Sequence, residues 1–107
     1  MSRAERDRLQ DIKDAIVAIR EHRASAGKGS ALLHDALLFQ FVVIGEAVKN
    51  LAPETRDAEP TIPWSDVAGL RDLIAHEYFR IEMDRLLAIV DRDLPPLEQA
   101  IDRLLRV

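Results

Sequence analysis

Apolar residues recur at helical spacing from one end of this chain to the other. Leu9, Ile12, Ile16 and Ile19 follow one another at three, four and three positions, a single stripe of a helix. Ahead of them Ser2 and Glu5 form a capping-box pattern, the hydroxyl serving one free amide and the carboxylate another. This helix should end in Ala24-Ser-Ala-Gly-Lys-Gly-Ser30, whose glycines permit a loop. Ser30 then caps a second helix reaching about Leu51, with Leu37, Phe41, Ile44, Val48 and Leu51 as its core face. Pro53, Pro60 and Pro63 punctuate a connector with room for one short turn. A third helix is expected from Pro63-Trp64, because proline suits the first helical position. Trp64 should anchor that helix in the core, with a polar edge for its indole N–H. A fourth segment carries Met83, Leu86, Leu87 and Val90. Pro95 and Pro96 lack amide donors, so the chain should kink or restart before Leu97, Ile101, Leu104 and Leu105 resume the period. No useful stretch alternates with period two, so no strand is expected. The pattern predicts an all-α, up-down bundle of four to five helices in a single domain, 1–107.

Composition narrows the class. Few aromatics and an apolar set of Leu, Ile, Val and Ala suit helix-on-helix packing. The absence of cysteine excludes disulfides and thiolate metal sites. No apolar run approaches the ~18 residues of a membrane span, and Met1-Ser-Arg-Ala-Glu-Arg-Asp-Arg lacks the apolar stretch of a signal peptide. A cytoplasmic protein without a membrane partner is the expectation. The net charge of −4 argues mildly against a general nucleic-acid binder. It is uneven: residues 1–28 hold seven basic and five acidic side chains, and the rest hold eight and fourteen. An RNA site would have to be a local patch, or the acidic surface serves another partner.

The candidate chemistry lies in Arg71-Asp-Leu-Ile-Ala-His76-Glu-Tyr78. Arginine offers a planar donor fork suited to phosphate, and histidine exchanges protons near neutral pH. These are the groups required to cleave RNA without a metal. On a helix, Arg71 and Tyr78 are seven positions apart and share one stripe, whereas Arg71 and His76 stand roughly 140° apart. A shared site therefore needs the helix to end or distort near His76, or a second copy to complete it. A C2 dimer could set two such helices side by side, with two Arg and two His around one groove. One imidazole would then take the proton of a ribose 2′-OH, a second protonated group would assist the leaving 5′-oxygen, and Arg71 would stabilise the phosphoryl charge. Tyr78 could stack on a base or bond a phosphate. The alternative is structural, with Arg71 paired to a carboxylate and His76 and Tyr78 forming a bundle rim.

Arg71-x4-His76-x-Tyr78 resembles the signature of HepT-like toxins, members of the HEPN superfamily of small helical nucleases. Ile44-Gly-Glu-Ala47 with Lys49-Asn50-Leu51, then Ile62-Pro-Trp64, Gly69-Leu-Arg-Asp72 and Asp93-Leu-Pro95, fall in the family's order. The likeness runs from about Leu32 to the C-terminus. The resemblance implies a metal-independent ribonuclease toxin of a type VII toxin–antitoxin pair. It implies a homodimer whose Arg–His motifs, here Arg71 and His76, meet at the interface, and no cofactor. The implied partner is a minimal nucleotidyltransferase (MNT) antitoxin that transfers AMP to the motif tyrosine, here Tyr78. Bulk and negative charge there would occlude RNA and compete for Arg71. Asp72 matches the polar residue that often follows the motif arginine, and orienting Arg71 or a partner's histidine is one option for it. The alternative function is a non-catalytic helical partner, or substrate-binding subunit, of a nucleotidyltransferase.

Other residues are read as structural. Glu46 follows Gly45, where a small residue lets another helix approach; a hydrogen-bonding or packing role outweighs a role near the site. His22 and His34 lack ligand-spaced partners and read as surface or loop-edge histidines, so no metal site is expected. Arg6, Lys13 and Arg20 repeat every seven residues beside the apolar stripe. They could track phosphates or meet an acidic partner, but covering the core edge with their stems is the commoner use. Gly27-Lys-Gly29 is too short for a phosphate loop.

Overall fold

The computed structural model describes residues 1–27 and 30–106, so residues 28 and 29 of the expected first loop lie outside the described residues. It contains helices α1 (Arg3–Ser25), α2 (Ala31–Lys49), α3 (Pro53–Asp57), α4 (Trp64–Ala68), α5 (Leu70–Glu77), α6 (Met83–Arg92) and α7 (Leu94–Leu105). Among the described residues there is no strand. The expected all-α bundle is observed. α1 packs along α2 on one side and α7 on the other, α6 pairs with α7, and α2 also carries α4 and α5.

The apolar stripes meet in one cluster. Leu9, Ile12, Ile16 and Ile19 of α1 are buried against Leu37, Phe41, Ile44 and Val48 of α2 and Leu97, Ile101 and Leu104 of α7. Trp64 joins this core, and its indole Nε1 donates to the carbonyls of Arg56 and Glu59, each at 3.0 Å. Ser30 caps α2 as expected, its hydroxyl accepting from the Leu33 amide at 3.2 Å.

Four expectations need correction. Only half of the N-terminal capping box forms: the Ser2 hydroxyl accepts from the Glu5 amide at 3.0 Å. The buried Glu5 carboxylate instead accepts from the Ala52 amide at 2.7 Å, across the bundle. A free amide ahead of a short helix that starts with proline outcompetes the local one. The third helix is divided into α4 and α5 at Gly69, where ψ of −12° opens the helical path. α2, at 19 residues with a mean hydropathy of 1.6, is apolar and long enough by composition to cross a membrane. Its apolarity is largely accounted for by the face it buries in the core. Finally, the acidic partner weighed for Arg6, Lys13 and Arg20 lies within the chain for two of them, on α7. Lys13 Nζ lies 2.8 Å from Glu98 and 3.0 Å from Asp102, Arg20 also pairs with Glu98, and Arg6 donates to the Leu105 carbonyl at 3.1 Å.

Restart at the prolines is observed. Asp93 ends α6 and caps α7, which has proline in its first turn, where a missing amide removes no intrahelical bond.

Candidate functional site

The α2–α5 packing positions the Arg–His–Tyr run. Gly45 is buried in the middle of α2 where α5 crosses it. A Cβ there would lie 3.0 Å from the Arg71 backbone nitrogen and 3.2 Å from the Ala68 carbonyl oxygen. A Cβ there would be tighter than ordinary contact, and glycine lets α4 and α5 approach α2 to backbone distance. The next residue on α2, Glu46, then reaches Arg71: its carboxylate forms an ion pair with Arg71 Nε at 2.9 Å. At the other end of the crossing His34 of α2 donates from Nε2 to the Ile81 carbonyl at 2.6 Å. That bond fixes the turn after α5, which carries Tyr78, Phe79 and Arg80.

α5 continues as regular helix through His76 to Glu77, and Tyr78 keeps helical dihedrals. Arg71 and Tyr78 therefore share a stripe, and Arg71 and His76 stand roughly 140° apart around the axis. α5 ends at Glu77, one residue past His76, without a distortion that would bring the two side chains together. Within one chain the fold brings Arg71 together with Glu46 and Asp72, and directs His76 elsewhere. Arg71, Asp72, His76 and Tyr78 are all exposed. Asp72 meets Arg71 Nη1 at 3.5 Å, the outer limit of a hydrogen bond, so it is a weaker restraint than Glu46. The bundle-rim alternative is met in part, since Arg71 does pair with carboxylates; His76, however, has no side-chain hydrogen bond among the described residues.

The surface around these groups is unusually apolar for exposed helix. Leu32 and Phe39, seven positions apart on the α2 stripe that continues to Glu46, are 76% and 64% exposed. Phe79 is 95% exposed and stands edge-on to Tyr78 with ring centroids 5.0 Å apart. Leu32 and Phe39 thus share the α2 stripe of Glu46, and Phe79 stands beside Tyr78 in the turn after α5. A groove of about 690 Å³ opens elsewhere, between α4–α5 and α6–α7, lined by Ile62, Val67, Leu70, Ile89, Arg85 and Arg92; it includes none of the motif residues.

Glu46 is the site residue that sequence reasoning underrated. The signal was the mid-helix glycine beside it, read correctly as a close approach but without the identity of the approaching helix. His34 was read as a loop-edge residue, and its hold on the Ile81 carbonyl was invisible at a separation of 47 positions. Among the described residues no three or more His, Asp or Glu side chains gather as a metal site.

Comparison with known proteins gives one family. Residues 8–104 match the family described as Ribonuclease HepT-like, a wider span than the sequence resemblance, since it takes in most of α1. A Thermococcus cleftensis protein named as a probable ribonuclease HepT is 32% identical over 97% of this chain and 98% of its own length. A Caldanaerobacter subterraneus protein named as a candidate RNase is 35% identical over 70% of this chain and 67% of its own. A Methanocaldococcus jannaschii protein named as a gamma-glutamylcyclotransferase and candidate RNase is 34% identical over 71% of this chain, which spans only 34% of that protein. No solved structure matches. The chain belongs to the Ribonuclease HepT-like family.

Proposed function

We propose that this HepT-like chain is a metal-independent endoribonuclease, the toxin of a type VII toxin–antitoxin pair, acting as a cytoplasmic homodimer. The observation that carries this reading is α5: Arg71 and His76 sit exposed on an unbroken helix that turns them apart, beside an uncovered apolar stripe of α2. A second copy seated on Leu32 and Phe39 would cover that stripe and set its own α5 alongside the first. Two Arg71 and two His76 would then face one groove.

In that groove a neutral His76 takes the proton of a ribose 2′-OH, and the oxygen attacks the adjacent phosphorus. Protonated His76 of the other copy gives its proton to the leaving 5′-oxygen. Arg71 stabilises the charge growing on the phosphoryl oxygens. The products are a 2′,3′-cyclic phosphate and a 5′-hydroxyl, and no cofactor takes part. A minimal nucleotidyltransferase antitoxin would silence the site by moving AMP from ATP to the Tyr78 hydroxyl, with pyrophosphate leaving. Tyr78 is exposed and on the Arg71 stripe, about 10 Å along the axis from it. An adenylate there would compete for the guanidinium.

The test is cleavage of RNA in EDTA by unmodified protein, checked by mass at Tyr78, beside Arg71→Ala and His76→Ala. The expected result is cyclic-phosphate ends from the wild type and a loss of at least about 100-fold in each variant. The Arg71–Glu46 pair favours one second reading, a non-catalytic partner of a nucleotidyltransferase in which Arg71 is structural. Absence of cleavage from folded, unmodified dimer across several RNA classes would establish it instead.

A further inference from the structure

The ion pair between Glu46 and Arg71 raises a question of use. Both side chains are about half exposed, at 50% and 46%, and such pairs add little to folding stability. Yet the pair sits at the closest approach of two helices, on the motif arginine, and joins residues 25 positions apart. The geometry points to Glu46 as a positioning residue: its carboxylate holds the Nε side of the Arg71 guanidinium, so that the Nη edge is presented to a phosphate in a fixed orientation.

Three observations support this assignment. First, the ion pair is made at Nε, which leaves Nη2, and Nη1 apart from its 3.5 Å contact with Asp72, to face a phosphoryl group. Second, Gly45 fixes the α5 backbone at Arg71 itself, with 3.0 Å to its nitrogen, so the arginine is restrained at the backbone as well as at Nε. Third, Asp72 sits 3.5 Å from Nη1 and is 72% exposed, a poor restraint on a long side chain. An arginine held only by Asp72 would sample many rotamers, and a catalytic cation gains its effect from being set in place beforehand.

The inference rests on the ribonuclease reading for its consequence and on side-chain order for its geometry, so two measurements separate them. Glu46→Ala, Glu46→Gln and wild type are compared for cleavage of a single-stranded RNA oligonucleotide in EDTA, with kcat and KM resolved. The Nε–H order parameter of Arg71, assigned by its loss in Arg71→Lys, is measured by NMR on the same proteins. Glu46→Ala should lower kcat about ten- to 100-fold with KM unchanged and the thermal midpoint unshifted. Arg71 Nε should become mobile. Glu46→Gln, which keeps the side-chain shape but loses the charge of the ion pair, should recover part of both. An Arg71 as ordered in Glu46→Ala as in wild type overturns the proposal, whatever the cleavage rate. So does a fall in KM at unchanged kcat, which would make Glu46 a competitor for the cation. Loss of Arg71 order in a protein whose wild type cleaves nothing would uphold the positioning and sink the ribonuclease reading alone.

Discussion

Gly45 ties the packing of the bundle to the geometry of its motif. Alanine is favoured over glycine inside a helix by about 1 kcal/mol, so propensity alone would make Gly45→Ala stabilising. The added Cβ, however, would meet the Arg71 nitrogen of α5 at 3.0 Å and the Ala68 carbonyl oxygen of α4 at 3.2 Å, and these cannot swing aside as a side-chain tip can. Such overpacking costs about 1–3 kcal/mol, so the clash should win. Gly45→Ala is expected to lower the thermal midpoint by several degrees, in keeping with about 1 kcal/mol lost by a domain of this size. Because the displaced atoms include the Arg71 nitrogen, cleavage should fall further than stability does. Unfolding curves and initial rates on the same preparation check both. At this scale the sequence was informative about identity and poor about partners. Arg71, Asp72, His76 and Tyr78 stood out from spacing and resemblance. That Glu46 meets Arg71 depends on how two helices cross, which no local pattern encodes.

Between elements, α1 and α7 are joined by charge laid over their apolar seam. Glu98 accepts from Lys13 at 2.8 Å and pairs with Arg20, while Asp102 lies on the other side of Lys13. Hydrogen bonding from Lys13, and secondarily from Arg20, outweighs partial burial and holds the Glu98 carboxyl below the ordinary carboxylate range. A carboxylate depressed in the folded state contributes stability that is fully present above its unfolded pKa and disappears as pH falls through its folded one. The bundle should therefore lose stability on acidification below the ordinary glutamate range. Glu98→Gln should remove part of that dependence. At neutral pH the variant should be about 1–2 kcal/mol less stable, and the gap should close in acid. Chemical denaturation along a pH series tests the sign directly. The seven-residue repeat of Arg6, Lys13 and Arg20 was legible, but the acids that answer Lys13 and Arg20 lie 78 to 89 positions away and only the fold brings them opposite. Likewise the split at Gly69 was missed because glycine tolerates a helix interior, and the packing of α4 and α5 on α2 decides whether it bends.

The whole molecule buries its apolar stripes in one core and leaves several large apolar side chains exposed. Periodicity was enough to fix the all-α class and most core positions, because each helix needs a single buried stripe. It could not say which outward residues remain uncovered. Leu32, Phe39 and Phe79 are among them: the first two lie on the α2 stripe of Glu46, the partner of Arg71, and Phe79 stands edge-on to Tyr78. If a second copy covers them, Phe39→Asp should yield a folded monomer by light scattering, with cleavage lost although no motif residue has changed. Burying one such phenylalanine is worth about 1.5–3 kcal/mol, and a charge in its place would be desolvated as well. The most direct test of a site shared between copies mixes wild type with a dead variant. Wild type and His76→Ala, carrying different tags, are co-refolded and the mixed dimer is isolated through both tags. The account predicts that this dimer, left with one His76 in the groove, lacks either base or acid and cleaves at least about 100-fold more slowly than wild type. A verified mixed dimer that keeps half the wild-type cleavage would contradict it, since each copy would then work alone.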